Sequence, residues 1–193
     1  DKQQPIGYAM DLCMKIVDAI RNDLKLPNLK VNLQPVTSAN RIPLLQNGTI
    51  DLECGSTTNS VQRQQQVAFG PTYFVINVTA AVKKSSGIKS VKDLVGKKIG
   101  NPPGDGARTM WPALAKANGI DPTSVTWVNI DANSKLAALK SKAIDATTSF
   151  YNIHHVFQRE LGADMGFLAW RDAGLNPYGN SIIVNAEYLK KNK

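Results

Sequence analysis

Five side chains have the types and spacing to grip a small anion: Ser38, Arg41, Ser56, Thr58 and Arg63, all within residues 37–63. A guanidinium offers a planar fork of donors that matches a carboxylate. The hydroxyls of Ser56 and Thr58 lie in the turn Gly55-Ser-Thr-Thr-Asn59, between a predicted strand and a predicted helix. A helix start leaves amide N–H groups unpaired and its dipole favours negative charge. Arg63, about one turn further on, can reach back as a bidentate partner, and Arg41, three residues after Ser38, supplies a second fixed cation. Two arginines and three hydroxyls suit a ligand with two carboxylates. The competing reading is plain helix caps and surface arginines.

A second glycine-rich helix entry, Pro103-Gly-Asp-Gly-Ala-Arg-Thr109, offers Gly104, Asp105 and Arg108 for a polar or anionic contact. It lacks the Lys-Ser/Thr ending of a nucleotide phosphate loop. Catalysis has little support. His154 and His155 are expected on a helix in surface or capping roles, with no Ser, Cys or Asp placed to form a triad. Asp51 and Glu53 sit two apart on a predicted strand and face one way, a common and nonspecific pair. Trp111, Tyr151, Trp170 and Tyr178 are read as core or hinge packing. Cys13 and Cys54 stand outside any Cys-x-x-Cys pattern and away from the histidines, so neither a metal site nor a cofactor is expected. Two buried free thiols are expected, a disulfide being the alternative.

The elements that must position these residues follow from periodicity. Apolar residues at Leu12, Cys13, Ile16, Val17, Ile20 and Leu24 have helical spacing over residues 7–24. Val31, Leu33 and Val36 suggest a strand over residues 30–36. Thr37 or Ser38 can cap a helix over residues 39–46, which Asn47-Gly48 stops. A short strand over 50–54, a polar helix over 60–67 and a long β run over 73–82 follow. Helix and strand alternate in this way in a parallel sheet covered on both faces. A second series begins near Lys83. Ser90-Val-Lys-Asp93 reads as a capping box. Strands are expected over 98–100, 126–130, 144–149, 166–170 and 181–184. Helices are expected from the Gly106 turn through Lys116, and over 133–141 and 151–161. Pro112 fits the first of these only near its start or at a kink. Two such series, joined by extended runs near residues 76–84 and 180–185, are the wiring of a hinged clamp. The expected division is residues 1–79 with 184–193 as the first lobe and 80–183 as the second.

At 193 residues with 42% apolar and 20% charged content, the chain can bury real cores. No apolar run nears the ~20 residues of a membrane-spanning helix, and no leader sequence opens the chain. Its net charge of +8 is spread over scattered lysines and arginines, without aromatics interleaved on a basic stripe. A nucleic-acid partner is therefore not expected.

Residues 7–84 resemble the first lobe of glutamate/aspartate solute-binding proteins of ABC importers. The resemblance rests on Gly7-Tyr8 with Asp11, on the run from Thr37 through Gly48, and on Glu53-Cys-Gly-Ser-Thr-Thr-Asn59 with Arg63. It implies that Ser56, Thr58 and Arg63 hold the ligand's α-carboxylate and that Ser38 and Arg41 take part in holding its side-chain carboxylate. From about Gly87 the chain instead looks like the nitrate/sulfonate/taurine and thiamine-precursor group. There the resemblance is carried by Ser90-Val-Lys-Asp-Leu-Val-Gly-Lys-Lys-Ile-Gly100, Val128-Asn-Ile-Asp131, Ala143-Ile-Asp-Ala-Thr147 and Asn176-Pro-Tyr-Gly-Asn180.

Both groups share the two-lobed α/β type II periplasmic-binding-protein fold, with a mainly parallel sheet in each lobe and two hinge crossings. The resemblance implies a periplasmic, monomeric, non-enzymatic protein that closes on a small anionic ligand and delivers it to an ABC permease. In the second lobe, Ser149 and Asn152 join Gly104, Asp105 and Arg108 as possible contacts. Against that fold, the first lobe is expected to be incomplete at both chain ends. A sulfonate or a thiamine-precursor pyrimidine is the alternative ligand. A sensor or regulator domain, and a dehydratase using Glu53 as a buried acid, are the alternative functions.

Overall fold

The computed structural model describes residues 4–176 and 179–191, so Tyr178 lies outside the described residues. Two compact units emerge: Asp1–Phe74 with Asn180–Lys193, and Val75–Gly179. In chain order the helices are α1 (Tyr8–Asp23), α2 (Arg41–Gln46), α3 (Val61–Gln64), α4 (Gly106–Ala117), α5 (Lys135–Lys140), α6 (His154–Leu161) and α7 (Ala186–Lys191). The strands are β1 (Leu52–Glu53), β2 (Ala68–Phe74), β3 (Val78–Lys83), β4 (Lys98–Asn101), β5 (Thr126–Asn129), β6 (Ala146–Phe150), β7 (Met165–Ala169) and β8 (Asn180–Val184).

The first unit holds a three-stranded sheet in the order β1-β8-β2, with β8 antiparallel to both neighbours. Its small core joins Ile42 and Leu45 of α2 to Val67 and Ile183, with Ile50 and Phe69 packed alongside. The start of α2 is set by a reciprocal pair: Thr37 N donates to Asn40 Oδ1 (2.6 Å) and Asn40 N to Thr37 Oγ1 (3.3 Å). Gly48, at φ 75°, ends the helix in the left-handed conformation that the Asn-Gly pair predicts.

Three expectations for this unit are corrected. The Cys13 and Cys54 thiols are not free but form a disulfide, which ties α1 to the residue after β1. No strand forms over residues 30–36, where Val31 and Leu33 are exposed. A strand exists through its ladder, and alternation without a pairing neighbour does not make one. The sheet is antiparallel rather than parallel: its central strand, β8, separates β1 from β2 and runs against both.

The second unit holds a five-stranded sheet in the order β5-β4-β6-β3-β7. Strand β4 runs parallel to β5 and β6, while β3 is antiparallel to β6 and β7. The expected run over residues 73–82 is broken between Phe74 and Val78, and its two halves belong to different sheets. One face packs Val82, Leu94, Ile99, Trp111, Leu114 and Trp170; the other packs Ala81, Leu139, Ile144, Phe157 and Met165. At Gly100 an added Cβ would lie 2.6 Å from Ile144 Cδ1, so β4 requires glycine there.

The capping box forms as read: Ser90 and Asp93 bracket the 3-10 turn Val91–Leu94. Pro112 sits inside α4 rather than near its start, next to Trp111, whose indole N–H donates to Pro122 O (3.0 Å). Tyr151, expected to pack, is 68% exposed.

Candidate ligand-binding site

In the first unit, the turn between β1 and α3 is built around a buried carboxylate. Glu53 is 4% exposed and ends the short strand β1. Arg41, the first residue of α2, donates from Nη1 to Glu53 Oε1 (2.9 Å) and to Thr57 Oγ1 (2.8 Å). Thr57 in turn donates to Glu53 Oε2 (2.7 Å), and Arg41 Nε donates to Thr37 O (3.2 Å). Both carboxylate oxygens are thus satisfied and the guanidinium is fixed in direction, as a buried ion pair requires. Gly55 is needed beside this pair, since a Cβ there would lie 2.5 Å from Glu53 Oε1.

The rest of the turn is seated on β8: Ser181 N donates to Thr57 O (3.1 Å), and Thr58 makes an isolated antiparallel bridge with Asn180. Ser60 caps α3, accepting from Arg63 N (3.4 Å). The Arg63 side chain is only 8% exposed, and its Nη1 donates back to Thr58 O (3.0 Å). The Arg63 side chain thus folds back onto its own turn, with the Thr58 backbone carbonyl among its partners. Ser56 is exposed at the tip of the turn and Ser38 is half-buried before α2. Tyr73 on β2 donates its hydroxyl to Gly55 O. Burial first, then the nearby Glu53 charge, pushes the phenol up to about 12.

The second unit gathers a different polar cluster at the carboxyl end of β4. Asp105 caps the 12-residue α4, accepting from Ala107 N (2.9 Å), and lies 3.6 Å from Lys135 Nζ. Lys135, at the start of α5, also donates to Thr148 O (3.1 Å) and Thr148 Oγ1 (3.4 Å). Thr148 donates to Asn101 Oδ1 (2.9 Å). Burial pulls the Lys135 ammonium below the usual lysine range, against the opposing pull of Asp105. Arg108 lies nearby on α4; it donates to Asn129 Oδ1 (2.6 Å) and stacks over Trp127 at 5.1 Å.

Ser149 and Asn152 do not join this group. Ser149 is buried on the face of β6 opposite Thr148, and Asn152 is exposed in the 3-10 turn Tyr151–Ile153. His154, expected in a surface or capping role, is half-buried: it stacks on Phe167 at 3.4 Å and shares a 2.9 Å hydrogen bond with Thr79 Oγ1. His155 is exposed. Asp51 is exposed and precedes β1, so Asp51 and Glu53 do not act as a pair.

Sequence reasoning missed Thr57, Lys135 and Asn101. Thr57 sat inside the motif it had singled out, and its hydroxyl was the available signal. Lys135 and Asn101 carried no local signal. Among the described residues, no group of three or more His, Cys, Asp or Glu side chains is placed to hold a metal ion, and no helix is long and apolar enough to cross a membrane.

The family described as "NMT1/THI5 like" matches this chain over residues 25–193, across the point where the sequence resemblance changes. A glutamate/aspartate import solute-binding protein of Salmonella typhimurium is 50% identical over 99 residues, which cover 51% of this chain and 33% of that protein. An L-glutamate/L-aspartate-binding protein of Pseudomonas aeruginosa is 50% identical over 96 residues, 50% of this chain and 32% of that one. The chain thus spans about a third of the length of these curated relatives. Among solved structures, an ancestral arginine-binding protein bound to arginine has a TM-score of 0.72 at 27% identity, covering 99% of this chain and 81% of that chain. The arginine-bound Gly52Ala mutant of ArgBP from T. maritima shares the fold, with a TM-score of 0.76 at 20% identity over 98% of this chain and 82% of that one.

Proposed function

The chain belongs to the NMT1/THI5-like family, and from that premise we propose that it is a solute-binding protein, without catalytic activity, for a small carboxylate-bearing nutrient. L-Glutamate or L-aspartate is the first choice of ligand, and an ABC permease is the partner that receives it from a monomeric carrier in the periplasm. The observation that carries this reading is Arg63, buried at the turn and oriented by the Thr58 carbonyl. A guanidinium held in this way presents a pre-directed fork to a carboxylate at little entropic cost. Ser56 and Thr58 complete the grip on the α-carboxylate. Arg41, held rigid by Glu53 and Thr57, serves with Ser38 at the second carboxylate. The names of the relatives matched at 50% identity support the choice of dicarboxylic amino acids. A disulfide suits an oxidising compartment such as the periplasm. Glu53 is engaged as the carboxylate of an ion pair, which argues against a dehydratase acid at that position.

A sulfonate or a thiamine-precursor pyrimidine is the second reading, favoured by the family match running through residue 193. Calorimetric titration with L-glutamate, L-aspartate, taurine and such a pyrimidine decides between the two. Heat from the dicarboxylates is expected, and Arg63→Ala should cost ~2–5 kcal/mol of their binding. Heat from taurine or the pyrimidine alone would overturn the first reading.

A further inference from the structure

We propose that the free edge of β7 is a docking site for an extended segment of a partner protein, in which acidic side chains alternate with aromatic or large apolar ones. The segment would add to the second unit's five-stranded sheet beside β7. This goes beyond the solute-binding reading and uses none of the residues assigned to it.

Strand β7 ends its sheet and pairs with β3 alone. In an antiparallel ladder a residue points its N–H and C=O to one neighbour, and the next residue points both to the other. Tyr151 N donates to Asn77 O, in continuation of the β3–β6 register, so Asn77, Thr79 and Ala81 face β6. Ala80 and Val82 therefore face β7, and their partners Leu168 and Gly166 face back. The N–H and C=O groups of Met165, Phe167 and Ala169 are left pointing to the open side. Among the described residues nothing is hydrogen-bonded to them there. An added strand would satisfy all three.

A cleft flanks this edge on each face of the sheet, and the two meet at Phe167. The first, of about 510 Å³, carries a row of rings: Tyr151 lies 5.1 Å from His154, which stacks on Phe167 at 3.4 Å. Tyr151 is 68% exposed at its rim. Burial holds the His154 pKa below the usual imidazole range, so the row is uncharged at neutral pH. It suits an aromatic or apolar side chain. The second cleft, of about 370 Å³, is lined by Leu168, Val91 and the exposed Lys89 and Lys92. Its one carboxylate, Asp172, already has Arg171 at 3.4 Å. That side suits acidic side chains. Successive residues of an added strand point to opposite faces, so acidic and apolar residues in alternation fit both clefts at once. A second copy of this chain fits less well, because its own edge, Met165–Ala169, carries no acidic residue.

The test is a titration of the full chain with the peptide acetyl-Glu-Leu-Glu-Phe-Glu-amide, followed by amide proton–nitrogen NMR spectra. The signals of Met165, Phe167 and Ala169 should move and saturate, and exchange of their amide protons with solvent should slow about tenfold or more. The same peptide methylated on its backbone nitrogens keeps its side chains but loses its ladder donors, and should leave these signals in place. Lys89→Glu combined with Lys92→Glu, both on the surface, should weaken the acidic peptide about tenfold or more. That variant should instead favour acetyl-Lys-Leu-Lys-Phe-Lys-amide, which binds the wild type poorly. Tyr151→Ala should weaken the acidic peptide several-fold. Unmoved core amides at Leu114 and Ile144 certify the fold of each variant. An equal response to the methylated peptide, equal binding of the basic peptide by the wild type, an unchanged response in either variant, or β7 amides that stay in place would overturn the proposal. Movement of the same amides with protein concentration alone would make a second copy the occupant and overturn it as well. Amides of residues 56–63 report the first unit separately, so failure of the Arg63 reading and failure of this one give different spectra.

Discussion

Arg41 Nη1 donates to Glu53 Oε1 across 2.9 Å, joining the first residue of α2 to the last residue of β1 where Glu53 is almost wholly out of solvent. The pair makes the turn that carries Ser56 and Thr58 depend on a charge balance 12 residues apart in sequence.

Removing one member of that pair should act mainly on stability. Arg41→Ala strands the Glu53 carboxylate with Thr57 alone and is expected to destabilise the fold by about 3–5 kcal/mol. Urea unfolding measures this. If Arg41→Ala unfolds at the wild-type midpoint, the pair does not organise the turn.

Gly55→Ala attacks the same pair from the other side. The new methyl group would lie within 2.5 Å of Glu53 Oε1 and push the carboxylate off Arg41. A loss of about 1–3 kcal/mol is expected. Because Arg63 keeps its contact with Thr58, L-glutamate affinity should fall less in Gly55→Ala than in Arg63→Ala.

The Cys13–Cys54 link closes a loop with a sequence separation of 41. In the chain-entropy account, Cys13→Ser paired with Cys54→Ser should cost about 2–4 kcal/mol. Dithiothreitol should lower the melting temperature of the wild type and leave that of the double variant unchanged. Equal melting temperatures with and without reductant in the wild type would show that the link contributes nothing.

Tyr73 gives a signature at alkaline pH. Its phenol is raised from 10.0 to about 12 in the folded chain, by burial first and by Glu53 second. The folded state therefore holds the proton more tightly than the unfolded state. The associated stability is complete below pH 10 and is lost as the pH climbs through about 12. The urea midpoint should decline across that window more steeply in the wild type than in Tyr73→Phe.

The sequence made legible what is local. The Asn47-Gly48 stop and the Ser90–Asp93 box each lie within a few residues, where spacing dictates geometry. Features that depend on distant partners were not legible. Arg41 reads as a second fixed cation, but what fixes it, Glu53 and Thr57, is brought against it only by the packing of α2 on β1. Two cysteines 41 apart do not announce whether they meet. The alternation of residues 30–36 predicts a strand, but pairing makes one, and that information lies outside the segment. Lys135 carries no local signal, because its partners Asp105 and Thr148 stand on other elements.

Strand β8 sets what the first unit's sheet must wait for in folding. Between β1 and β2 in sequence there is no pairing to be made; each waits for a strand that starts at Asn180. The residues of the second unit, Val75–Gly179, form one uninterrupted stretch and contain all five strands of their own sheet. The first unit thus cannot build its sheet from neighbouring strands alone. Until β8 pairs, the Ser56–Thr58 turn has no Asn180 or Ser181 to rest on, and β1 and β2 remain open strand edges.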